Sequence, residues 1–204
     1  AKLHSRLTIH DSRNFLTMNY LPTLFLDRDG VINVRTPGDY VKTPEEWIPV
    51  EGLGEAMQQL SVLFGRIIVV TNQAGIGRGL MSEADLEAVH EKMKVIIKQA
   101  GARLDAIYHC PHRSDAGCDC RKPATGMALR AKVDFPDIDF AKSWMVGDSF
   151  SDMQLGLQLG MTTVLIHGKE EESEQLAALP LDFRFDSLAE FARHFLIIEH
   201  GLKR

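Results

Sequence analysis

Thr23-Leu24-Phe25-Leu26-Asp27-Arg28-Asp29-Gly30 is the stretch on which the fold turns: a short apolar run that ends abruptly in two carboxylates and a glycine. The apolar run predicts a buried strand, and the glycine lets the backbone turn sharply beside a ligand. Aspartates at alternate positions of a strand end can converge on one cation and one substrate. Taken alone, Asp-x-Asp-Gly is more often a solvated turn or a calcium-type loop, so its meaning depends on the rest of the chain.

Beyond Gly30 the chain alternates regularly. Gly52 to Phe64 places Leu53, Ala56, Met57, Leu60 and Leu63 at helical spacing, and Arg66 to Val70 is a continuous β-branched run that predicts a buried strand. A helix is expected from Ser82, with Asp85 completing a weak capping box, to about Gly101. Further strands are expected at Ala106–His109, Trp144–Val146 and Thr162–Ile166. Helices are expected at Gly126–Val133, Ser151–Leu159 and from about Ser187. Strands alternating with helices predict an α/β fold: a doubly wound, mostly parallel sheet covered on both faces. Such a sheet binds ligands beyond the carboxyl ends of its strands.

Chemistry-bearing residues fall at those ends. Asp27 and Asp29 follow the first strand. Thr71-Asn72-Gln73 and the glycine-rich Gly75-Ile76-Gly77-Arg78-Gly79 follow the second, Arg121-Lys122-Pro123 the third and its loop, and Gly147-Asp148, with Asp152 beyond, the fourth. Each cluster has a plainer reading as a helix cap, a basic turn or a solvated loop. Their shared placement favours one site. Arg28 is expected to point away from it in a structural role, Arg78 to lie on the surface, and Glu170-Glu171-Glu172 to be a solvated helix start.

The net charge of −5 over 204 residues argues against a nucleic-acid binder. No apolar run approaches the ~20 residues that span a bilayer. Ala1 to Tyr20 lacks the apolar core of a signal peptide and reads as an N-terminal arm, leaving residues 21–204 as a single domain. The odd, clustered Cys110, Cys118 and Cys120 do not suggest a secreted disulfide framework, so a cytoplasmic location is expected. With His112 they make three thiolates and an imidazole, the ligand set of a closed structural zinc site. The plainer readings are free thiols or a Cys118–Cys120 bridge, which would close a strained ring and strand Cys110.

From Leu24 to His167 these motifs resemble the haloacid-dehalogenase phosphatase superfamily. The resemblance implies that Asp27 is the nucleophile forming an aspartyl-phosphate, and that Asp29 is the acid/base. It implies that Thr71 and Lys122 hold the phosphoryl group. Magnesium would lie against the Asp27 carboxylate, the Asp29 backbone carbonyl and Asp148. Asp29 must be protonated when the leaving alcohol departs, so its pKa is expected to be raised.

The zinc loop before Arg121-Lys122-Pro123 is similar to two related groups in that superfamily, the D-glycero-D-manno-heptose 1,7-bisphosphate phosphatases and the histidinol-phosphate phosphatases. Both have small or absent caps, and the interval between Asn33 and Gly52 is too short for a separate cap domain. Thr71 to Gly79 and Gly38-Asp39-Tyr40-Val41 look more like the heptose enzymes. That resemblance implies substrate contacts at Tyr40, Thr71, Asn72, Gln73, Ala74, Arg121 and Lys122. Val31, where Thr is common, and Ser149, where Lys is frequent, depart from the pattern. The expected partner is a small phosphorylated metabolite, handled by a monomer without nucleic acid or membrane. The competing classes are a phospho-accepting signalling domain, a phosphotransferase and a non-catalytic zinc-organised module. Asp29 and the cysteine loop argue against the first, and the missing cap against the second.

Overall fold

The computed structural model describes residues 21–167 and 170–201; the expected arm at Ala1–Tyr20 lies outside them. In chain order the strands are β1 (Thr23–Leu26), β2 (Arg66–Asn72), β3 (Ala106–Cys110), β4 (Trp144–Gly147), β5 (Thr162–Ile166) and β6 (Phe183–Phe185). The helices are α1 (Leu53–Leu63), α2 (Ala74–Gly77), α3 (Glu83–Gln99), α4 (Gly126–Asp134), α5 (Phe150–Gln158), α6 (Ser173–Ala178) and α7 (Leu188–Gly201). Every strand pairing is parallel, in the order β3-β2-β1-β4-β5-β6. The winding direction reverses at β1, between β2 and β4, which puts the topological switch point where Asp27 leaves the sheet. There the Asp27 amide donates to the Val146 carbonyl at 2.9 Å.

Side chains alternate across the strands, so each strand feeds two cores. Leu24, Leu26, Ile67, Val69, Val146 and Val164 face the layer where α1, α3 and α7 pack. Phe25, Ile68, Val70 and Met145 face α4 and α5 on the other side. Among the described residues, no helix is long and apolar enough to cross a membrane.

The helix signals match their physical causes. Ser82 accepts from the Asp85 amide at 3.1 Å while Asp85 accepts from the Ser82 amide at 2.8 Å, so both halves of the capping box form. Gly101 follows α3 with φ 74°, the left-handed geometry that glycine tolerates. The second strand runs to Asn72 rather than Val70, and the glycine-rich stretch is a short helix, α2, rather than an open loop. Its glycines serve close packing: a Cβ on Gly75 would lie 3.0 Å from the Tyr40 ring, and one on Gly77 would lie 2.7 Å from the Pro111 carbonyl. Glu170–Glu172 is a 3-10 turn leading into α6, yet it is not merely solvated. Glu171 pairs with Arg35 at 2.7 Å, and Glu172 accepts from the Phe150 amide at 2.5 Å.

Strand β6 has no counterpart in the sequence reading. Phe183-Arg184-Phe185 is too short to carry a period, and what holds it is tertiary. Phe183 stacks on Trp144 at 5.6 Å, and Asp182 just before it accepts from the Thr163 amide and hydroxyl, each at 2.9 Å. Phe64, Trp144, Phe185, Phe191 and Phe195 continue this aromatic layer over the sheet edge. Phe191→Ala should therefore destabilise the fold by about 3–5 kcal/mol. Val62→Ala, on the exposed side of α1, should stay within about 0.5 kcal/mol. Urea unfolding of the two variants beside the parent checks the contrast.

Candidate active site

The carboxyl ends of β1, β2 and β4 converge on one buried ammonium group. Lys122 is almost completely enclosed, and its Nζ lies 2.6 Å from Asp27 Oδ1, 2.6 Å from Asp152 Oδ1 and 2.7 Å from the Val70 carbonyl. Burial disfavours its charge, but Asp152 and Asp27 overcome that penalty and hold its pKa above the usual lysine value. Its backbone is clamped as well. The Asn72 side chain accepts from the Lys122 amide at 3.0 Å and donates to the Lys122 carbonyl at 3.1 Å.

Asp27 bears the opposite strain. Burial and the neighbouring Asp152 push its carboxyl up to about 6, with Lys122 opposing them. Asp27, Asp148 and Asp152 each bring a carboxylate oxygen within 4.8 Å of the others, a hard-oxygen cluster suited to a small divalent cation. Asp152 is already committed to Lys122 through one oxygen, and its other accepts from the Ser149 hydroxyl at 2.5 Å and amide at 3.1 Å. That leaves Asp27 and Asp148 as the better side-chain ligands. Space for Asp148 comes from Gly30: with φ 94°, a Cβ there would fall 2.2 Å from Asp148 Oδ2.

Asp29 behaves differently from the sequence expectation. Arg28 does not point away; it is fully buried and turned onto its neighbour. It donates to Asp29 through Nε at 3.2 Å to Oδ1, and through Nη2 at 3.0 Å to Oδ1 and 2.9 Å to Oδ2. Asn33 and Gln73 donate to the same carboxylate at 3.0 and 2.8 Å. Burial works against the charge, but Arg28, Asn33 and Gln73 outweigh it, so the pKa is lowered rather than raised.

A cavity of about 490 Å³ opens above these groups, bordered by Asp27, Asp29, Tyr40, Thr71, Asn72, Arg121 and Lys122. Gln73 and Ala74 are buried and do not border it; the Gln73 amide donates to Thr71 Oγ1 at 2.8 Å as well as to Asp29. One guanidinium nitrogen of Arg121, Nη1, is buried without a hydrogen-bond partner, as a donor awaiting an anion would be. Arg78 stands at the rim with its guanidinium 5.8 Å from the Tyr40 ring centroid, and Arg35 joins the wall while approaching Asp148 at 3.8 Å.

The cysteine loop folds as its composition suggests. Cys110, Cys118 and Cys120 bear no disulfide. Sulfur–sulfur distances of 3.2 to 3.6 Å, with His112 Nδ1 3.2 Å from Cys120 and 3.6 Å from Cys110, outline a small tetrahedron. Tetrahedral metal–thiolate bonds of about 2.3 Å give edges of about 3.8 Å, close to this cage. Crowding shows in the thiols. Burial pushes Cys110 up to about 12, while Cys118 is lowered to about 6: burial is the largest single influence on it and raises it, but hydrogen bonds from the Arg121 amide and neighbouring thiols together outweigh that. A cation at the centre would relieve that crowding. The loop runs directly from Cys120 into Arg121 and Lys122.

Residues 119–191 match the family described as HAD-hydrolase-like. The chain is 41% identical over 174 residues to a D-glycero-beta-D-manno-heptose-1,7-bisphosphate 7-phosphatase of Pseudomonas putida, covering 85% of this chain and 98% of that protein. It is 37% identical over 171 residues to a D-glycero-alpha-D-manno-heptose-1,7-bisphosphate 7-phosphatase of Mycobacterium tuberculosis, covering 83% and 88%. The crystal structure of the D,D-heptose 1,7-bisphosphate phosphatase of B. bronchiseptica, complexed with magnesium and phosphate, superposes with a TM-score of 0.79 at 36% identity, over 86% of this chain and 98% of that one. This chain therefore belongs to the haloacid-dehalogenase family of phosphatases.

The sequence reading placed Asp152 in the fourth strand-end cluster without a role; Ser149-x-x-Asp152 is a capping box, and the oxygen outside that cap faces Lys122. Asn33 and His90 escaped it. Asn33 lies only four residues beyond Asp29, but its donation to that carboxylate depends on how the backbone turns after β1, and His90 reaches Arg28 across 62 residues. If Gly30 makes room for Asp148, Gly30→Ala should displace that carboxylate and weaken divalent-cation binding at least about tenfold. The overpacking should also cost about 1–3 kcal/mol. Magnesium titration by calorimetry and a urea melt read the two effects separately.

Proposed function

We propose that this protein is a magnesium-dependent phosphatase that removes the C7 phosphate of D-glycero-D-manno-heptose 1,7-bisphosphate through an aspartyl-phosphate on Asp27. The observation that carries the reading is the Asp27 carboxylate at the cavity floor, gripped by Lys122 and flanked by Asp148. The names of the 41% and 37% identical relatives supply the substrate class.

In this reading the Asp27 and Asp148 side chains and the Asp29 carbonyl would hold magnesium, which would supply positive charge to the nucleophile and the phosphoryl oxygens. Lys122, fixed on Asp27 Oδ1, keeps the carboxylate aligned and with Thr71 meets the equatorial phosphoryl oxygens. An Asp27 oxygen bonds to phosphorus as the phosphorus–C7 oxygen bond breaks, and the departing oxygen takes a proton from Asp29. Water then attacks the aspartyl-phosphate, gives its proton to Asp29, and releases phosphate and the Asp27 carboxylate.

The lowered pKa of Asp29 keeps it ionised, as the second step requires of the group that takes a proton from water. A phosphoryl dianion entering beside it raises its proton affinity for the first. Tyr40 and Arg121 then recognise the rest of the sugar bisphosphate, with the unpaired Nη1 of Arg121 the natural donor to an anionic oxygen.

Phosphate release from heptose 1,7-bisphosphate and from histidinol phosphate, assayed in parallel with magnesium, tests the substrate. The bisphosphate should be favoured in kcat/KM by at least about a hundredfold, and Asp27→Asn should lower its turnover by about a thousandfold or more. A preference for histidinol phosphate would overturn the substrate while leaving the mechanism standing.

We assign the cysteine cage to structural zinc held by Cys110, His112, Cys118 and Cys120. Purified protein should contain about one zinc per chain and Cys118→Ser much less, by atomic emission. After exhaustive chelation, magnesium alone should fail to restore activity, whereas magnesium with zinc should restore it, because zinc holds the loop that presents Arg121 and Lys122.

A further inference from the structure

Arg28 separates the two aspartates of the site in sequence, and three of its contacts go to Asp29. Its remaining terminal nitrogen, Nη1, lies 3.3 Å from Nε2 of His90, in a contact buried on both sides. A guanidinium has donors only, so Nε2 must be the acceptor and the ring proton must sit on Nδ1. Burial and the nearby Arg28 charge push the imidazole down to about 3, so it stays neutral and keeps that lone pair at ordinary pH.

The placement of His90 is set by packing rather than by the site. It occupies the buried face of α3 with Leu86, Val89, Met93 and Ile97, and its ring meets His109 edge-on at 6.0 Å. The helix thus carries a fixed lone pair to the one corner of Arg28 that Asp29 does not occupy. A planar guanidinium held at both ends cannot rotate, and the carboxylate gripped by its other edge is held with it.

We propose that His90 is a positioning residue: its Nε2 fixes the Arg28 guanidinium, and through it the Asp29 carboxylate, in the orientation from which Asp29 serves the leaving oxygen and the attacking water. The inference rests on Asp29 being the acid/base of the proposed function. It predicts sensitivity to the leaving group. A sugar alkoxide cannot depart without a proton, whereas 4-nitrophenolate needs little help.

The test uses the zinc- and magnesium-loaded protein and follows the pre-steady-state release of leaving group from heptose 1,7-bisphosphate and from 4-nitrophenyl phosphate. His90→Leu should slow release of the sugar about 10- to 100-fold, with KM little changed, because a misplaced catalytic group costs on that order. It should slow the nitrophenolate burst by no more than about threefold. His90→Gln, which keeps an acceptor, should recover most of the sugar rate. Equal slowing of both leaving groups, or of neither, would overturn the inference.

Nitrogen-15 NMR of histidine-labelled parent protein gives a reading that needs no variant. His90 should show the Nδ1–H tautomer across neutral pH, and an Nε2–H tautomer would overturn the proposal. The same leaving-group contrast in Asp29→Asn secures the underlying reading independently, so its absence in His90→Leu alone would count against His90, and its absence in both against the acid/base role of Asp29.

Discussion

Four segments of this chain meet at one ammonium group. Lys122 is bonded to Asp27 at the end of β1, to the Val70 carbonyl in β2, and to Asp152 in the first turn of α5, while Asn72 clamps its backbone. Buried unpaired, any of these charges would cost several kcal/mol; together they satisfy one another, and that mutual need fixes how the pieces sit. The sheet order follows the same logic. Parallel strands on either side of β1 bring their carboxyl ends to one place, so residues far apart in sequence share one small volume.

The cysteine cage extends this constraint to a segment that the sheet does not hold. Between β3 and α4 the chain has no regular structure of its own, yet it must deliver Lys122 to within 2.6 Å of two carboxylates. A loop free to wander would pay that ordering entropy with each substrate. Cys118 and Cys120 stand just before Arg121 and Lys122, so a metal cross-link there would restrain the residues that matter most. The orphaned Arg121 nitrogen fits the same pattern: a donor held in place before its anion arrives.

Most of the fold was legible because it rests on local signals. The apolar runs at Thr23–Leu26 and Arg66–Val70, the helical spacing in α1 and the Ser82 capping box all announce themselves within a few residues. The strand ends that carry Asp27, Thr71, Lys122 and Asp148 were legible for the same reason, since the topology rule turns a strand end into a site. What stayed hidden was long-range. β6 is held by Phe183 stacking on Trp144, and the glycines of α2 give close packing room to Tyr40 and Pro111. The protonation of Asp29 is misjudged from sequence because neighbouring carboxylates are weighed and Arg28, one residue away, is sent to the opposite side. Only the folded backbone shows that guanidinium turning back.

Identical side chains are thus assigned different work by their surroundings. Asp27 and Asp29 are separated by a single residue and share a cavity, yet their proton affinities are driven apart: Asp27 up to about 6, Asp29 below its ordinary value. Asp27 is buried beside Asp152, whose negative charge favours its neutral form, and Lys122 only partly offsets this. Asp29 instead faces Arg28, Asn33 and Gln73, all of which donate to it. In the protein alone the order of proton affinity is the reverse of what a nucleophile and an acid require. In the proposed reaction a divalent cation against Asp27 and a phosphoryl dianion beside Asp29 would each act to invert it. The free site is adapted to the charges it will receive rather than to its own neutrality. On the same proposal an acidic chain can bind an anionic substrate: the carboxylates that would repel it are engaged with Lys122, with Arg28 or, once it is bound, with the metal.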